Sequence, residues 1–457
     1  MEVTGNPTAQ ADFRGLAVFS AGLARSLAEE NPDSNLVFSP LSIYAALALL
    51  AVGARGDTLD EILQVVGTRS RGELEEIVAR VAGNTLKDQS DSGGPCVAFA
   101  CGIWSELTCP LKSAFRDAVV GTYKAKASSV DFINNPEAAR RQINSWVAQA
   151  TSNLIGSVFG PLSITPLTRV VLGNAIYFKG RWDRPFDTKR TTNKLFYRLD
   201  GGTIDVPFMK SRSSQFIAVH DGFKVLKLRY QAAQAQVNPS GYDPFNLAGQ
   251  SSYTAQAKVN PSGHDPFNLA GYAEVSSDRN KRMKVSFGRN KPTQFSMCIF
   301  LPDARDGLPN LVDMIASQPD FLHEHLPKKK MDVDEFRVPK FKLSFESSVI
   351  SILKKLGLQL PFGDQADLSD MVERDASGLP LVVSEVIHKA VIEVNEEGTE
   401  AAAVTMMNIM IGASPRPRTP PPRVNFVADH PFAYFIVEEA TGAVVFAGNV
   451  LDPSRVN

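Results

Sequence analysis

Cysteine and histidine, the residues that most often build metal sites and disulfide frameworks, are scarce in this sequence. The four cysteines have neither zinc-ribbon spacing nor the density of a secreted disulfide scaffold, and the six histidines are scattered. We therefore expect reduced thiols, no bound metal and no cofactor. The fingerprints G-x-S-x-G, H-E-x-x-H and C-x-x-C, the P-loop and the dinucleotide-binding motif are also missing. We predict that the chain is not an enzyme and assign no catalytic residue.

Two further absences limit its location and its partners. No apolar run reaches membrane-spanning length, and the N-terminus shows no apolar segment after a basic start. We expect a cytoplasmic or nuclear protein with no membrane partner, and extracellular release stays open. The net charge of -1 and the sequence pI near 6.6 argue against a nucleic acid as the main partner.

The residues that are present predict helices and strands around a full core. At 44% hydrophobic and 21% charged, the composition is that of an ordinary globular protein. Residues 13–27 have apolar side chains at helical spacing, and a short strand before Ser39 leads into a helix capped there, with Pro40 in its first turn. Interior strands are predicted at 97–107 and 170–178, with a surface helix at 138–154, a strand and turn at 295–305, and one strand at 336–345 that continues into a helix at 349–356.

A tandem duplication interrupts this pattern between residues 231 and 293. Residues 233–249 recur at 255–271 with two substitutions, Gln236 to Lys258 and Tyr242 to His264. Two copies are too few to build a solenoid, and proline, glycine, asparagine and serine dominate each copy. We predict an extruded loop, which is tolerable because loop-closure entropy grows slowly with length.

The most informative stretch is 394–423, because its two halves have opposite properties. At a period of two, Thr399, Ala401 and Ala403 begin an uncharged face that runs on to residue 411, whereas Glu400 supplies the only charge on the other face. The five prolines between residues 415 and 422 cannot donate ladder hydrogen bonds. The stretch could therefore be an exposed loop, or an interior strand up to a defined point.

The motif E-E-G-T-E-A-A-A at 396–403, followed by F-V-A-D-H-P-F at 426–432, resembles the hinge and the downstream signature of the serpins, most closely plant serpins of the Z type. The resemblance implies an α+β fold in which about eight to nine helices surround large, mostly antiparallel sheets. It implies one domain over residues 1–457, interrupted by the family-atypical insert at 231–293, with an exposed reactive-centre loop at 396–425. A monomer is expected.

The resemblance also assigns residues to three regions. Lys340 is expected to pair with Glu396, and His388, in an apolar strand, needs a partner that Asn174 or Ser39 and Ser42 would supply. The hinge comprises Glu396, Glu397, Gly398, Thr399, Glu400, Ala401, Ala402 and Ala403, the shutter at the sheet centre comprises Ser39, Ser42, Asn174 and His388, and the breach at the sheet top comprises Trp182 and Lys340.

The function implied by the resemblance is irreversible, suicide-substrate inhibition of serine endopeptidases or of papain-like cysteine proteases. The family register places the scissile bond at Gly412–Ala413, with Met410, Arg416 and Arg418 as alternative bait residues. The long loop between residues 412 and 426 leaves this register open by a residue or two. The alternatives are a non-inhibitory serpin, acting as a binding or chaperone-like protein or as a plain protease substrate, and, more remotely, a hydrolase.

Overall fold

The computed structural model describes residues 14–233, 293–318, 320–373, 381–399 and 423–456. All of these residues belong to one compact unit, in which nine α-helices of the described chain surround two β-sheets. The helices are α1 Arg14–Glu30, α2 Pro40–Gly53, α3 Gly56–Val66, α4 Arg71–Thr85, α5 Ser113–Gly121, α6 Pro136–Ala150, α7 Leu308–Ser317, α8 Phe321–Glu324 and α9 Ile350–Lys355. None of them has the length and apolar character that a bilayer-crossing helix needs.

The strands fall into a ten-stranded and a six-stranded sheet. They are β1 Leu36–Phe38, β2 Cys96–Glu106, β3 Lys126–Val130, β4 Val170–Arg181, β5 Thr192–Tyr197, β6 Thr203–Lys210, β7 Gln215–His220, β8 Phe223–Arg229, β9 Phe295–Pro302, β10 Lys330–Pro339, β11 Phe341–Ser348, β12 Val383–Val394, β13 Gly398–Thr399, β14 Arg423–Val427, β15 Phe432–Glu438 and β16 Val444–Val450. The larger sheet has the order β1-β16-β15-β9-β8-β7-β10-β6-β5, with β14 beside β10. The smaller sheet has the order β11-β12-β4-β2-β3, with β13 beside β4.

Alternation along β4 explains how the smaller sheet is covered on both faces. Leu172, Ile176 and Phe178 belong to the main core, which also contains α1, α2 and the inner strands of the larger sheet. Val171 and Tyr177 point the other way, into a second cluster with residues of α6. Because both faces of β4 are covered, its sequence is a nearly continuous apolar run.

The predicted α+β fold is confirmed, and two of its elements differ from the sequence prediction. The surface helix ends at Ala150 and not at residue 154, because Thr151 turns out of the helix. The single strand predicted at 336–345 is wrong, since β10 and β11 lie in different sheets and are separated at Lys340. The alternation runs through this point, but Pro339 has no N–H with which to continue the ladder.

The predictions for the duplication and for most of the loop concern residues outside the described ranges. Of the two copies, only Ala233 is described, and the hinge is described through Thr399. Strands β8 and β9, which flank the insert, form a regular antiparallel pair from Phe223–Pro302 to Arg229–Ser296.

Candidate functional site

The smaller sheet contains one parallel pair at its centre. Strands β4 and β12 run parallel, with His388 opposite Asn174 and Val391 opposite Tyr177, whereas each is antiparallel to its other long neighbour. We call this junction the central seam. A strand that entered between β4 and β12 from their C-terminal end would be antiparallel to both, so it would replace one parallel ladder with two antiparallel ones.

The chain already begins such a strand at the top of the seam. After β12 it reverses at residues 395–398, and Gly398 and Thr399 pair antiparallel with Arg181 and Gly180. The Asn395 side chain shapes this turn, because its Oδ1 accepts hydrogen bonds from the backbone N–H groups of Glu397 (3.1 Å) and Gly398 (3.3 Å).

Gly398 cannot be replaced without moving the turn. Its φ is 149°, and a Cβ on this residue would lie 2.0 Å from the carbonyl oxygen of Gly180. The obstructing carbonyl of Gly180 is part of the backbone, so no side-chain rotation relieves the clash. The glycine expected at the hinge is therefore required because β13 and β4 approach each other closely at this residue.

An aromatic cluster holds Thr399, the last described residue of the hinge. Thr399 is fully buried, and its Oγ1 lies 3.0 Å from the Tyr230 hydroxyl. Tyr230 stacks on Trp182 with 4.5 Å between ring centroids, and Trp182 donates its indole N–H to the carbonyl of Asn395 at 2.9 Å. Burial raises the pKa of Tyr230, so the hydroxyl stays protonated.

The expected ion pair of the breach is present. Lys340 Nζ lies 2.9 Å from one carboxylate oxygen of Glu396, and the Thr191 hydroxyl donates to the other at 2.7 Å. Burial opposes ionisation of Glu396, but the hydrogen bonds from Thr191 and Lys340 outweigh it and lower its pKa. Lys340 is 36% exposed and Glu396 9% exposed, so the pair is worth only about 1 kcal/mol.

A closed hydrogen-bond network crosses the middle of the seam. Fully buried His388 lies 2.9 Å from Asn174 Oδ1 through its Nδ1 and accepts the Ser39 backbone N–H at 3.0 Å through its Nε2. Asn174 Oδ1 also accepts the Ser42 hydroxyl at 2.8 Å. With Ser39 N–H as donor, the imidazole is neutral and carries its proton on Nδ1. Burial lowers the pKa of His388 to about 3.

The structure thus brings together every predicted site residue that it describes. Ser39, Ser42, Asn174 and His388 meet at the centre of the seam, and Trp182, Lys340 and Glu396 to Thr399 meet at its top. The remaining predicted site residues lie outside the described ranges; they are Glu400, Ala401, Ala402, Ala403, Met410, Gly412, Ala413, Arg416 and Arg418.

Three residues of the site were missed by the sequence reasoning. Asn395 had a usable signal, because asparagine before a glycine-containing turn is a known turn former. Tyr230 and Thr191 had none, since they reach the hinge from segments that are distant in sequence.

Comparison with known proteins places this fold and site in one family. The family model described as "Serpin (serine protease inhibitor)" matches residues 14–238 and 269–453, and the chain belongs to the serpin family. Among curated proteins, it is similar to "Putative serpin-Z8" of Oryza sativa subsp. japonica, with 49% identity over 96% of each chain. It is also 45% identical to "Serpin-Z2A" of the same rice, over 97% of this chain and 98% of the relative.

A solved Arabidopsis serpin, described as being in its native stressed conformation, superposes with a TM-score of 0.79 at 32% identity. The match covers 98% of this chain and 99% of the other. The resemblance to Z-type plant serpins is therefore confirmed. Serpins are generally protease inhibitors and not enzymes.

Proposed function

We propose that this chain is an irreversible, single-use inhibitor of serine endopeptidases. The observation that carries the proposal is the central seam, with Gly398 and Thr399 already paired on β4 at its top. A sheet that already pairs with Gly398 and Thr399 of the hinge is prepared to accept the residues of the loop that follow them.

The register begun by β13 specifies which residues would face the core. If the antiparallel pairing continues, Ala401 and Ala403 would oppose Phe178 and Ile176, both on the core side of β4. Glu400 would oppose Lys179, which is partly exposed, so a cross-strand charge pair would form on the outer face. The uncharged face of the loop thus matches the buried face of the sheet.

The length of β4 limits how far the loop can enter. β4 has twelve residues from Val170 to Arg181, so the same register ends with residue 409 opposite Val170. A protease attached three residues further on, at Gly412, would be carried along the whole sheet. The first proline of the loop follows only at residue 415, so none interrupts this run.

The chemistry uses the catalytic step of the protease. The serine hydroxyl attacks the carbonyl of the bait residue, the peptide bond breaks, and the bait stays attached as an acyl ester. The freed loop then inserts, and the tethered protease is pulled out of its productive geometry before water can hydrolyse the ester. A thiol protease of the papain class forms the equivalent thioester.

The register favours a bait residue close to residue 409. Gly412–Ala413 would suit an elastase-like protease, and Met410 would suit a chymotrypsin- or subtilisin-like protease. Cleavage after Arg418 would leave six extra residues on the tether, whose slack would let the protease deacylate. Arg416 precedes a proline, and that bond resists cleavage.

The test is to mix the purified protein separately with elastase-, chymotrypsin-, trypsin- and papain-like proteases. Denaturing gels and intact mass spectrometry then report any covalent complex and the mass of the released C-terminal peptide. We expect an SDS-stable complex and a peptide that begins within a residue or two of Ala413. Cleavage at this position without any complex would show a non-inhibitory serpin that is only a substrate.

A further inference from the structure

A cavity of about 330 Å³ lies beside the breach, with Trp182 in its lining, and cationic residues are its most frequent charged lining. Four chain segments build it: the turn after β4, the β6–β7 connection, the end of β8 and the start of β10. Seven arginine or lysine side chains line the cavity, against two carboxylates. The whole chain has a net charge of only -1, so this local excess of positive charge is not a consequence of composition.

The floor of the cavity is an aromatic ring surrounded by three cations. Arg229 and Lys330 lie 5.0 Å from the centroid of the Phe216 ring, and Lys227 lies 5.2 Å from it. The negative ring face attracts each cation, which helps to keep like charges close together. Glu439 pairs with Lys227 at 3.4 Å and with Arg229 at 2.9 Å, and thus balances only part of this charge.

The rim of the cavity carries cations without acidic partners. In the part of the chain that the structure describes, no carboxylate lies within ion-pair distance of Arg184, Lys210 or Arg212, whereas Arg190 pairs with Asp187 at 3.4 Å. Ser211 and Ser213 also line the cavity. Guanidinium, ammonium and hydroxyl donors that converge on one concavity are the groups that bind phosphate oxygens.

We propose that this basic groove, defined by Arg184, Arg190, Lys210, Arg212, Lys227, Arg229 and Lys330, binds a ligand with clustered phosphate esters. Each phosphate monoester carries a charge of about -1.5 to -2 at neutral pH, so two or three groups neutralise the excess. The volume is at the lower end of the range of small-ligand pockets and fits a compact polyphosphorylated molecule. A free phosphorylated polyol and a phosphoinositide headgroup share this chemistry.

The site does not depend on protease inhibition. Its residues lie on strand ends, on the β6–β7 connection and on the turn after β4, whose backbone N–H groups also donate to the carbonyl oxygens of Glu396 (from Phe186, 2.7 Å) and Glu397 (from Trp182, 2.8 Å). Binding is therefore measurable on the intact protein, whether or not the loop traps a protease.

The experiment is isothermal titration of the full chain with inositol hexakisphosphate at about 0.15 M salt, where long-range attraction is screened. We expect saturable binding at one site and a higher melting temperature of the complex. Lys210→Glu/Arg212→Glu should weaken binding by at least about tenfold, because it removes two contacts and adds repulsion. Arg184→Gln, on a different segment, should weaken it by about threefold or more.

The matched control is Lys87→Glu/Lys126→Glu, which changes the net charge equally at two exposed lysines away from the groove and should change affinity by less than about twofold. Melting curves without ligand verify that all variants fold. Vesicles of phosphatidylcholine with and without phosphatidylinositol bisphosphate then separate a lipid headgroup from a free phosphate as the source. The proposal would be overturned if neither phosphate probe bound saturably, or if both double variants weakened binding equally. It would also be overturned if oligothymidylate, a single-stranded nucleic acid that carries phosphodiesters and no phosphate monoester cluster, bound more tightly.

Discussion

At the residue scale, His388 closes the seam only in its neutral form. Ser39 presents an N–H donor to Nε2, so a proton added there would face another donor. The imidazole is fully buried, and within the described residues none of its hydrogen-bond partners is a carboxylate that could stabilise a positive charge. Protonation of His388 at low pH would therefore destabilise the folded protein at the centre of the seam.

We predict that His388 contributes a pH-dependent part of the stability. Its pKa is lowered to about 3 in the folded state and is about 6.5 when unfolded, so below pH 6.5 only the unfolded chain takes up the proton. Stability is present above pH 6.5 and falls, by up to about 1.4 kcal/mol per pH unit, as the pH drops towards 3. His388→Gln should melt lower than the parent at pH 7.5 and lose this slope.

Melting temperatures measured between pH 7.5 and 5 check the prediction. This window separates His388 from Glu396, whose lowered pKa makes its contribution disappear only below the usual carboxylate range. A His388→Gln protein whose melting temperature drops between pH 7.5 and 5 as steeply as that of the parent would contradict it.

The second residue-scale prediction concerns Gly398. Gly398→Ala should release Thr399 from its pairing with β4, because the new Cβ meets the Gly180 carbonyl. We expect a loss of about 2–4 kcal/mol and a changed emission of Trp182, which hydrogen-bonds to the same turn. The control is Gly121→Ala at the end of α5, where a Cβ meets no atom within 4 Å and should be neutral or stabilising. If Gly398→Ala had the same melting temperature and the same fluorescence as the parent, glycine would not be required at this position.

At the element scale, the central seam makes a prediction about the two faces of the loop. Ala401→Arg would place a charge against Phe178 during insertion, whereas Glu400→Arg would place it opposite the partly exposed Lys179. We expect Ala401→Arg to lower the yield of covalent protease complex at least about tenfold and to increase the yield of cleaved inhibitor. Glu400→Arg should stay within about threefold of the parent, because repulsion from Lys179 is weakened by solvent there.

The measurement is the ratio of complex to cleaved product on denaturing gels, with equal amounts of protease. Ala401 and Glu400 are a better pair than Thr399, because Thr399 is already buried before cleavage and its substitution would also disturb the intact protein. Equal yields from the two arginine variants would show that insertion does not follow the register of β13.

The sequence predicts elements of this fold better than their junctions. Apolar runs identified β2 and β4 as interior strands of one sheet, and the cap at Ser39 was visible from Ser39 and Pro40. The change of sheet at Lys340 was not visible, since alternation continues through it. The basic groove was missed for a similar reason: its cations come from four separate segments, and no local pattern relates them.

At the scale of the whole molecule, the smaller sheet of the intact chain is closed by the parallel pair of β4 and β12. An inserted strand would replace this pair with two antiparallel pairs, which are more stable. Cleavage near Gly412 should therefore stabilise the protein. Insertion would bury the face that includes Thr405, Met407 and Ile409, and each of the two larger side chains contributes about 1.5–3 kcal/mol. We expect the melting temperature of the cleaved protein to rise by at least about 5 °C.

Differential scanning calorimetry of intact and loop-cleaved protein checks this expectation. The same comparison on Ala401→Arg is the control, because its cleaved form should gain little. A parent protein that melts at the same temperature before and after cleavage would favour a non-inhibitory serpin.

The junction of the insert is closed independently of its length. The Gln294 side-chain amide donates to the carbonyls of Tyr230 and Phe295, both at 2.8 Å, and the Tyr230 N–H donates to the Phe295 carbonyl at 3.0 Å. Tyr230, which holds Thr399, is thus fixed to Gln294 and to Phe295 at the start of β9. Repeat copies can consequently be gained or lost over evolution at little cost to the hinge, because the closure entropy of the segment changes only slowly with its length.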